Sequence, residues 1–213
     1  MKILVLLDPK LSRGGSGGQG YLAVEINARS VRLFAPSNGY FPDGAVRHEV
    51  LHVQRIHGHG VPRLVLAEQE PWDPVFSDAL GALDNALEHI VIVPAELQFH
   101  PERREHWEAV MANVCLGLLD APEEERALAG CLHWTFLRHV LPNSPQVAML
   151  GDYLNRYGLL EMADEFAGQV IAVLPSKEEM FRVLCRFFPG YPRQRVAFEY
   201  FDKFTGAHQE LVI

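Results

Sequence analysis

The residues of this chain best suited to chemistry form the segment His48-Glu49-Val50-Leu51-His52, which has the pattern H-E-x-x-H. On an α-helix, residues four apart lie one turn above each other, so His48 and His52 can present two imidazole nitrogens to one metal ion. A zinc hydrolase needs two such nitrogens, an open coordination position for water, and a carboxylate that takes the water's proton. The segment therefore predicts a zinc site with His48 and His52 as ligands and Glu49 as the general base.

The sequence around the motif favours a helix that begins and ends close to it. Asp43 is placed to act as the N-cap, and Gly58 is the first of several helix-ending residues that follow His52. At about 100° per residue, the valines at positions 46, 50 and 53 form a core stripe. Both histidines then fall on a neighbouring, semi-buried arc.

A third ligand is expected from residues 78–94, a second helical segment that is apolar around most of its circumference. Its polar residues gather on one arc, and the polar arc of a buried helix needs partners. Glu88 lies near the centre of this arc and is the preferred third ligand, with His89 as the alternative. Asp84, at the other edge, is expected to be a ligand or to orient one. The competing interpretation is a polar arc that is simply solvated.

With these residues the chain resembles the zincin metallopeptidases, and among them the gluzincin-like members, in which a helix after the motif helix supplies an acidic ligand. The resemblance covers about residues 20–95, and its specific element is the H-E-x-x-H segment. It implies zinc held by the two motif histidines and a glutamate, and a second acid one turn away, as Asp84 stands from Glu88. The metzincin pattern does not fit, because its third histidine would fall between His57 and His59, which are interpreted as cap or turn residues.

The remaining pattern predicts an α+β fold and a single domain of 213 residues. A small N-terminal sheet, the motif helix and the second ligand helix are expected to make a zincin-like catalytic core over residues 1–100. Residues 101–213 are predicted to be a mainly helical extension that ends in a β-hairpin. The strands expected in the sheet are 2–8, 21–27 and 31–35. The helices expected after the core are 102–120, 123–140, 146–158, 161–174 and 176–187, and the hairpin strands are 195–203 and 208–213.

The composition restricts the binding partners and the cellular compartment that are expected for this protein. A net charge of −8 argues against nucleic acid as the main partner, since phosphate binding needs a basic surface. The sequence contains no stretch long and apolar enough to span a membrane, and the apolar run near residue 5 is too short for a signal peptide. The three cysteines are odd in number and lack a C-x-x-C pair, so they are expected to be reduced, in a cytoplasmic protein.

Three functions of different classes fit this sequence. The preferred hypothesis is a zinc metallopeptidase that acts on a protein or peptide substrate. The second is a binding or regulatory protein that keeps the zincin fold without catalysis, and the third is a helical protein in which the motif is accidental. If the site is catalytic, a donor to the oxyanion is expected in the helical half. The candidate donors are Tyr153, Tyr157, His133 and His139.

Overall fold

The computed structural model of the chain describes residues 2–8, 23–26, 30–36, 43–201 and 208–212. The chain forms two compact units. The motif unit comprises Met1–Arg63 and Phe198–Leu211, and the helical unit comprises Leu64–Ala197 and Val212–Ile213. The prediction of a single domain with a core that ends at residue 100 stays a prediction.

The N-terminal sheet contains three strands in the order β1-β3-β2. The strands are β1 (Lys2–Asp8), β2 (Ala23–Ile26) and β3 (Ser30–Pro36). β2 runs antiparallel to β3, as the predicted hairpin requires, with Ala23 opposite Phe34. β1 runs parallel to β3, with Lys2 opposite Ser30, so β3 is the central strand.

The H-E-x-x-H segment lies on helix α1 (Asp43–Val53), which continues directly into the π-turn (Gln54–Gly58). The helix begins at the predicted residue, although the side chain of Asp43 lies outside the described residues and its capping role stays a prediction. After the π-turn, Gly60 has a φ of +68°, a conformation that glycine adopts without steric cost. This reversal leads the chain into strand β4 (Arg63–Leu66).

The second predicted helix is present as α2 (Pro74–Phe99), which is longer than expected at both ends. It begins earlier because Asp73 caps it, with its carboxylate accepting a hydrogen bond from the amide of Phe76 at 3.1 Å. Pro74 occupies the first turn, where a missing amide hydrogen costs nothing. At the other end the helix passes through Pro94 and ends at Phe99.

Five further helices complete the helical unit. They are α3 (Arg103–Asp120), α4 (Glu123–Val140), α5 (Pro145–Arg156), α6 (Leu160–Ala172) and α7 (Lys177–Phe187). α4 is central, since it packs against α2, α3, α5 and α6. Ser144 and Ser176 cap α5 and α7 by accepting backbone amide hydrogens. None of the helices in the described ranges is both long and apolar enough to cross a membrane.

A second three-stranded sheet has the order β4-β5-β6, with β5 at Val196–Phe201 and β6 at His208–Val212. The two C-terminal strands were predicted, and they are neighbours in this sheet. β4 was not predicted as a strand. Helices predominate in the described residues, and the strands form small three-stranded sheets, so the predicted α+β class is confirmed.

Candidate metal centre

The two motif histidines come together on one face of α1. Their Nε2 atoms are 3.2 Å apart, and their rings meet edge to face, with centroids 4.8 Å apart and planes at 82°. Two nitrogens bound to a tetrahedral zinc at about 2.0–2.1 Å are about 3.3 Å from each other. His48 and His52 are therefore spaced like two ligands of one ion, a spacing that also suits a hydrogen bond between neutral rings.

The motif helix holds these rings in a partly dry environment. His48 is only 8% exposed, while His52 and Glu49 are half-buried. Leu51 and Val53 are buried and anchor the inner side of the helix. Glu49 follows His48 directly, so its side chain leaves the helix about 100° further round, and its role as general base stays a prediction.

The π-turn changes the environment of the histidines that follow the motif. His57 is buried, and its ring lies against Phe201 of β5, with centroids 5.3 Å apart. Burial lowers the pKa of His57. Within the described ranges, its Nε2 atom has no hydrogen-bond partner. His59 is exposed and caps the π-turn through its backbone amide, so the interpretation as a cap residue fits His59 but not the buried ring of His57.

The two acids predicted on the second helix, Asp84 and Glu88, both bind one lysine. The ammonium of Lys177, at the start of α7, lies 2.6 Å from Oδ1 of Asp84 and 3.1 Å from Oε1 of Glu88. Oδ1 of Asp84 also accepts the backbone amide of Leu64 at 2.9 Å. Glu88 is 1% exposed and Lys177 is 0% exposed. The two carboxylates and the ammonium therefore form a buried charge cluster within the helical unit.

This cluster bears on the choice of the third ligand. If Glu88 bound a metal ion, Lys177 would lose part of the charge that compensates it, and an uncompensated buried charge costs several kcal/mol. Coordination by Glu88 stays a prediction, as does an orienting role for Asp84. Both residues have a structural task that the sequence pattern did not reveal.

His89, next to Glu88 on α2, has different neighbours. Its half-buried ring meets the indole of Trp107 on α3 edge to face, with centroids 4.9 Å apart and planes at 71°. Trp107 in turn donates a hydrogen bond to the carboxylate of Glu96. The contact between His89 and Trp107 was not predicted from the sequence. The signal in the sequence was a second acid on the same face of α2: Glu96 lies seven residues, or about two helical turns, after His89 and needs a partner of its own.

The residues considered as oxyanion donors lie on or just after α4 and α5. Tyr153 is buried, and its hydroxyl donates to the carbonyl of Leu118 at 2.7 Å, which gives it a structural role. Burial lowers the pKa of His133 to about 4, and it also lowers the pKa of His139. Tyr157 is exposed. The expectation that one of these four residues stabilises an oxyanion stays a prediction.

Comparisons with protein-family models, with curated proteins and with solved structures found no match to this chain. The resemblance to zincins therefore rests on the H-E-x-x-H segment alone. A function for the chain has to be argued from the positions of its own side chains.

Proposed function

We propose that this protein is a zinc-dependent metallopeptidase in which His48 and His52 bind the ion and Glu49 is the general base. The observation that carries the proposal is the 3.2 Å separation of the two Nε2 atoms, which suits two ligands of one tetrahedral ion. The burial of His48 and the half-buried position of His52 support it further, because a site shielded from water strengthens the electrostatic interactions that catalysis uses.

The third ligand stays a prediction, with Glu88 and His89 as the candidates that the sequence indicates. The carboxylate of Glu88 is already paired with buried Lys177, so binding an ion would take it from that lysine. Two histidines, a third protein ligand and an open fourth position are an established arrangement for catalytic zinc.

The chemistry proposed for the site is hydrolysis of a peptide bond. Zinc in such a site supplies a Lewis acid that polarises a carbonyl oxygen and lowers the pKa of water. Glu49 accepts a proton from the attacking water and delivers it to the leaving amine. An extended peptide suits the N-terminal sheet, since β1 and β2 stand at the two ends of its strand order and edge strands can pair with a further strand.

We place this activity in the cytoplasm, because all three cysteines are free thiols. Burial raises the pKa of Cys115 to about 11 and that of Cys131 to about 12, so both are protonated and unreactive near neutral pH. They fit the predicted role of reduced core residues.

The metal site is tested by elemental analysis of protein purified without added metal, stripped with a chelator and then titrated with zinc. We expect one zinc per chain. His48→Ala and His52→Ala should each weaken binding by orders of magnitude, because a catalytic site with three protein ligands loses one of them. His59→Ala is the matched control, since His59 is exposed and close to the motif in sequence. A wild-type chain that takes up no zinc would refute the proposal.

The catalytic role of Glu49 is tested with Glu49→Gln and a library of internally quenched fluorescent peptides. The variant should bind zinc like the wild type and lose on the order of 10²–10⁴ or more in rate, the usual cost of removing a general base. Glu125→Gln, at an exposed position, is the control. Loss of zinc in Glu49→Gln would identify Glu49 as a ligand. A wild-type chain that binds zinc and cleaves no peptide would support the non-catalytic zincin-like protein instead.

A further inference from the structure

We propose that an apolar surface on α3 and α5 binds a basic amphipathic helix of a partner protein. This surface, which we call the α3–α5 patch, consists of Leu116, Leu119, Met149 and Tyr157. These side chains are 42–57% exposed, and they are half of the eight large apolar side chains that are exposed among the described residues. All four belong to the helical unit, so the proposal does not depend on the metal site.

The patch surrounds one hydrogen bond between the two helices. The hydroxyl of Tyr153 on α5 donates to the carbonyl oxygen of Leu118 on α3 at 2.7 Å. The residue four positions after Leu118 is Pro122, which has no amide hydrogen for that carbonyl, so the tyrosine supplies a donor in its place. The two leucines of the patch lie within two residues of Leu118, and its methionine and tyrosine lie about one turn before and after Tyr153. This contact therefore gathers the four apolar side chains in one part of the surface.

The ring of Tyr157 is held in place before any partner binds. It packs against the ring of Tyr153, with centroids 4.8 Å apart and planes at 52°. The guanidinium of Arg126, near the start of α4, lies 5.1 Å from the ring centroid of Tyr157. Nε of Arg126 in turn donates to the carbonyl of Ala121 at 2.7 Å. A restrained aromatic ring loses little conformational entropy on binding, and tyrosine and methionine are enriched at protein interfaces.

The residues around the patch are predominantly acidic. Positions 116–126 contain four acids and one arginine, and positions 145–157 contain one acid and one arginine, which gives a net charge of −3. The first of these arginines, Arg126, already contacts the tyrosine of the patch. Glu125 and Asp152 are exposed. An apolar centre with an acidic rim is complementary to a partner surface whose apolar residues are flanked by lysines or arginines.

The negative charge also distinguishes between three kinds of occupant. A second copy of the chain would bring two acidic rims together, and like charges across an interface oppose binding. A membrane surface that contains anionic lipids attracts basic segments, so it would repel this patch. A basic segment of another protein is therefore the occupant that the charge favours.

The length of the patch suits an α-helix. Met149 and Tyr157 are eight residues apart, which corresponds to about 12 Å along α5. On an amphipathic helix, apolar residues at positions i, i+3, i+4 and i+7 span about 10 Å along one face. Such a helix would cover the patch while its lysines and arginines face the acidic rim.

The probe for this site is a fluorescein-labelled helical peptide of about 18 residues, or about five turns, with leucines along one face and lysines elsewhere. Fluorescence anisotropy measures its affinity for the full chain, and we expect saturable binding of one peptide per chain. One control peptide has the same composition in a scrambled order that lacks an apolar face. The other has glutamate in place of every lysine. Both should bind at least about tenfold more weakly, because the first lacks the apolar anchors and the second lacks the complementary charge.

Apolar variants test whether the peptide binds at the α3–α5 patch. The double variant Leu116→Ser/Leu119→Ser should weaken binding of the basic peptide by about tenfold or more, and Met149→Ser should act in the same direction. Trp72→Ser is the matched control, since Trp72 is an apolar residue outside the patch and is 75% exposed. Circular dichroism checks that each variant is folded, and substitutions at exposed positions seldom disturb the fold.

Charge variants test the acidic rim. Glu125→Gln combined with Asp152→Asn should weaken binding of the basic peptide and make it less sensitive to salt, because rim charges mainly accelerate association. Glu161→Gln removes an exposed acid from α6 and is the control, so it should bind the peptide like the wild type.

Several results would overturn the proposal. Equal affinity for the basic peptide and either control peptide would do so, as would wild-type affinity in both the leucine double variant and Met149→Ser. A dimer in sedimentation velocity that the leucine double variant dissociates would identify a second copy as the occupant. Co-sedimentation with phosphatidylserine vesicles that the same variant abolishes would identify a membrane surface instead. None of these measurements involves zinc, so the proposed function is tested separately.

Discussion

Replacing Lys177 with methionine should destabilise the helical unit strongly. Lys177→Met keeps an unbranched apolar side chain of similar length and removes only the buried ammonium. Asp84 and Glu88 would then face each other without the cation that lies 2.6 and 3.1 Å from them. Removing one partner of a buried ion pair costs about 3–5 kcal/mol, and here two carboxylates lose the same partner.

Tryptophan fluorescence is the appropriate assay, because all three tryptophans of the chain lie in the helical unit. The free energy of unfolding from a urea titration should fall by about 3–5 kcal/mol. For a chain of this size, that change lowers the melting temperature by roughly 6–20 °C. Adding Asp84→Asn and Glu88→Gln to Lys177→Met should restore part of the loss, since a neutral cluster no longer buries unpaired charge.

The control is Arg182→Met on the same helix. Arg182 forms an exposed ion pair with Glu179, and exposed pairs contribute about 0–1 kcal/mol. The reasoning fails if Lys177→Met unfolds at the same urea concentration as the wild type or as Arg182→Met. It also fails if the neutral triple variant is less stable than Lys177→Met alone.

Two further predictions concern histidines whose pKa burial lowers, His133 and His57. Burial lowers the pKa of His133 from 6.5 to about 4, so the unfolded chain binds a proton below about pH 6.5 while the folded chain does not. This residue should therefore remove up to about 3 kcal/mol of stability as the pH falls from 6.5 to 4, and His133→Gln should give a shallower pH dependence in urea titrations. His57→Phe should leave zinc affinity unchanged and raise the melting temperature by a few degrees in circular dichroism, because it replaces a buried nitrogen that has no hydrogen-bond partner among the described residues. A lower melting temperature would show that this nitrogen is paired in the folded protein.

Helix positions in the second half of the chain were predictable because the signals are local. α5 begins at Pro145, directly after its cap Ser144, and α7 begins directly after its cap Ser176, and both first residues lie within one position of the predicted ones. The start of α2 was missed because residues 78–94 already contain a full apolar pattern, while its capping signal lies further upstream at Asp73.

Strand pairing was harder to predict because its partners are far apart in the sequence. β4 contains an apolar run of only three residues, Leu64-Val65-Leu66, and a run of that length does not by itself indicate a strand. Its neighbour in the sheet, β5, comes from the other end of the chain. The parallel pairing of β1 with β3 is non-local in the same way, since the sequence suggests only the antiparallel hairpin of β2 and β3.

In the proposed site, too, the local geometry was predictable from the sequence and the tertiary partners were not. The approach of His48 and His52 follows from helix geometry alone, so the four-residue spacing was enough to predict it. The choice between Glu88 and His89 does not follow, because adjacent residues lie only about 100° apart on one polar arc. What separates them is a lysine 93 residues after Asp84, which occupies the carboxylates and turns the acidic part of the arc into a buried charge cluster. Hydropathy patterns locate polar positions that need partners, but the identity of each partner depends on tertiary packing. On a buried helix that carries both acids and a histidine, the buried cation is therefore the residue to locate before a carboxylate is assigned to a metal.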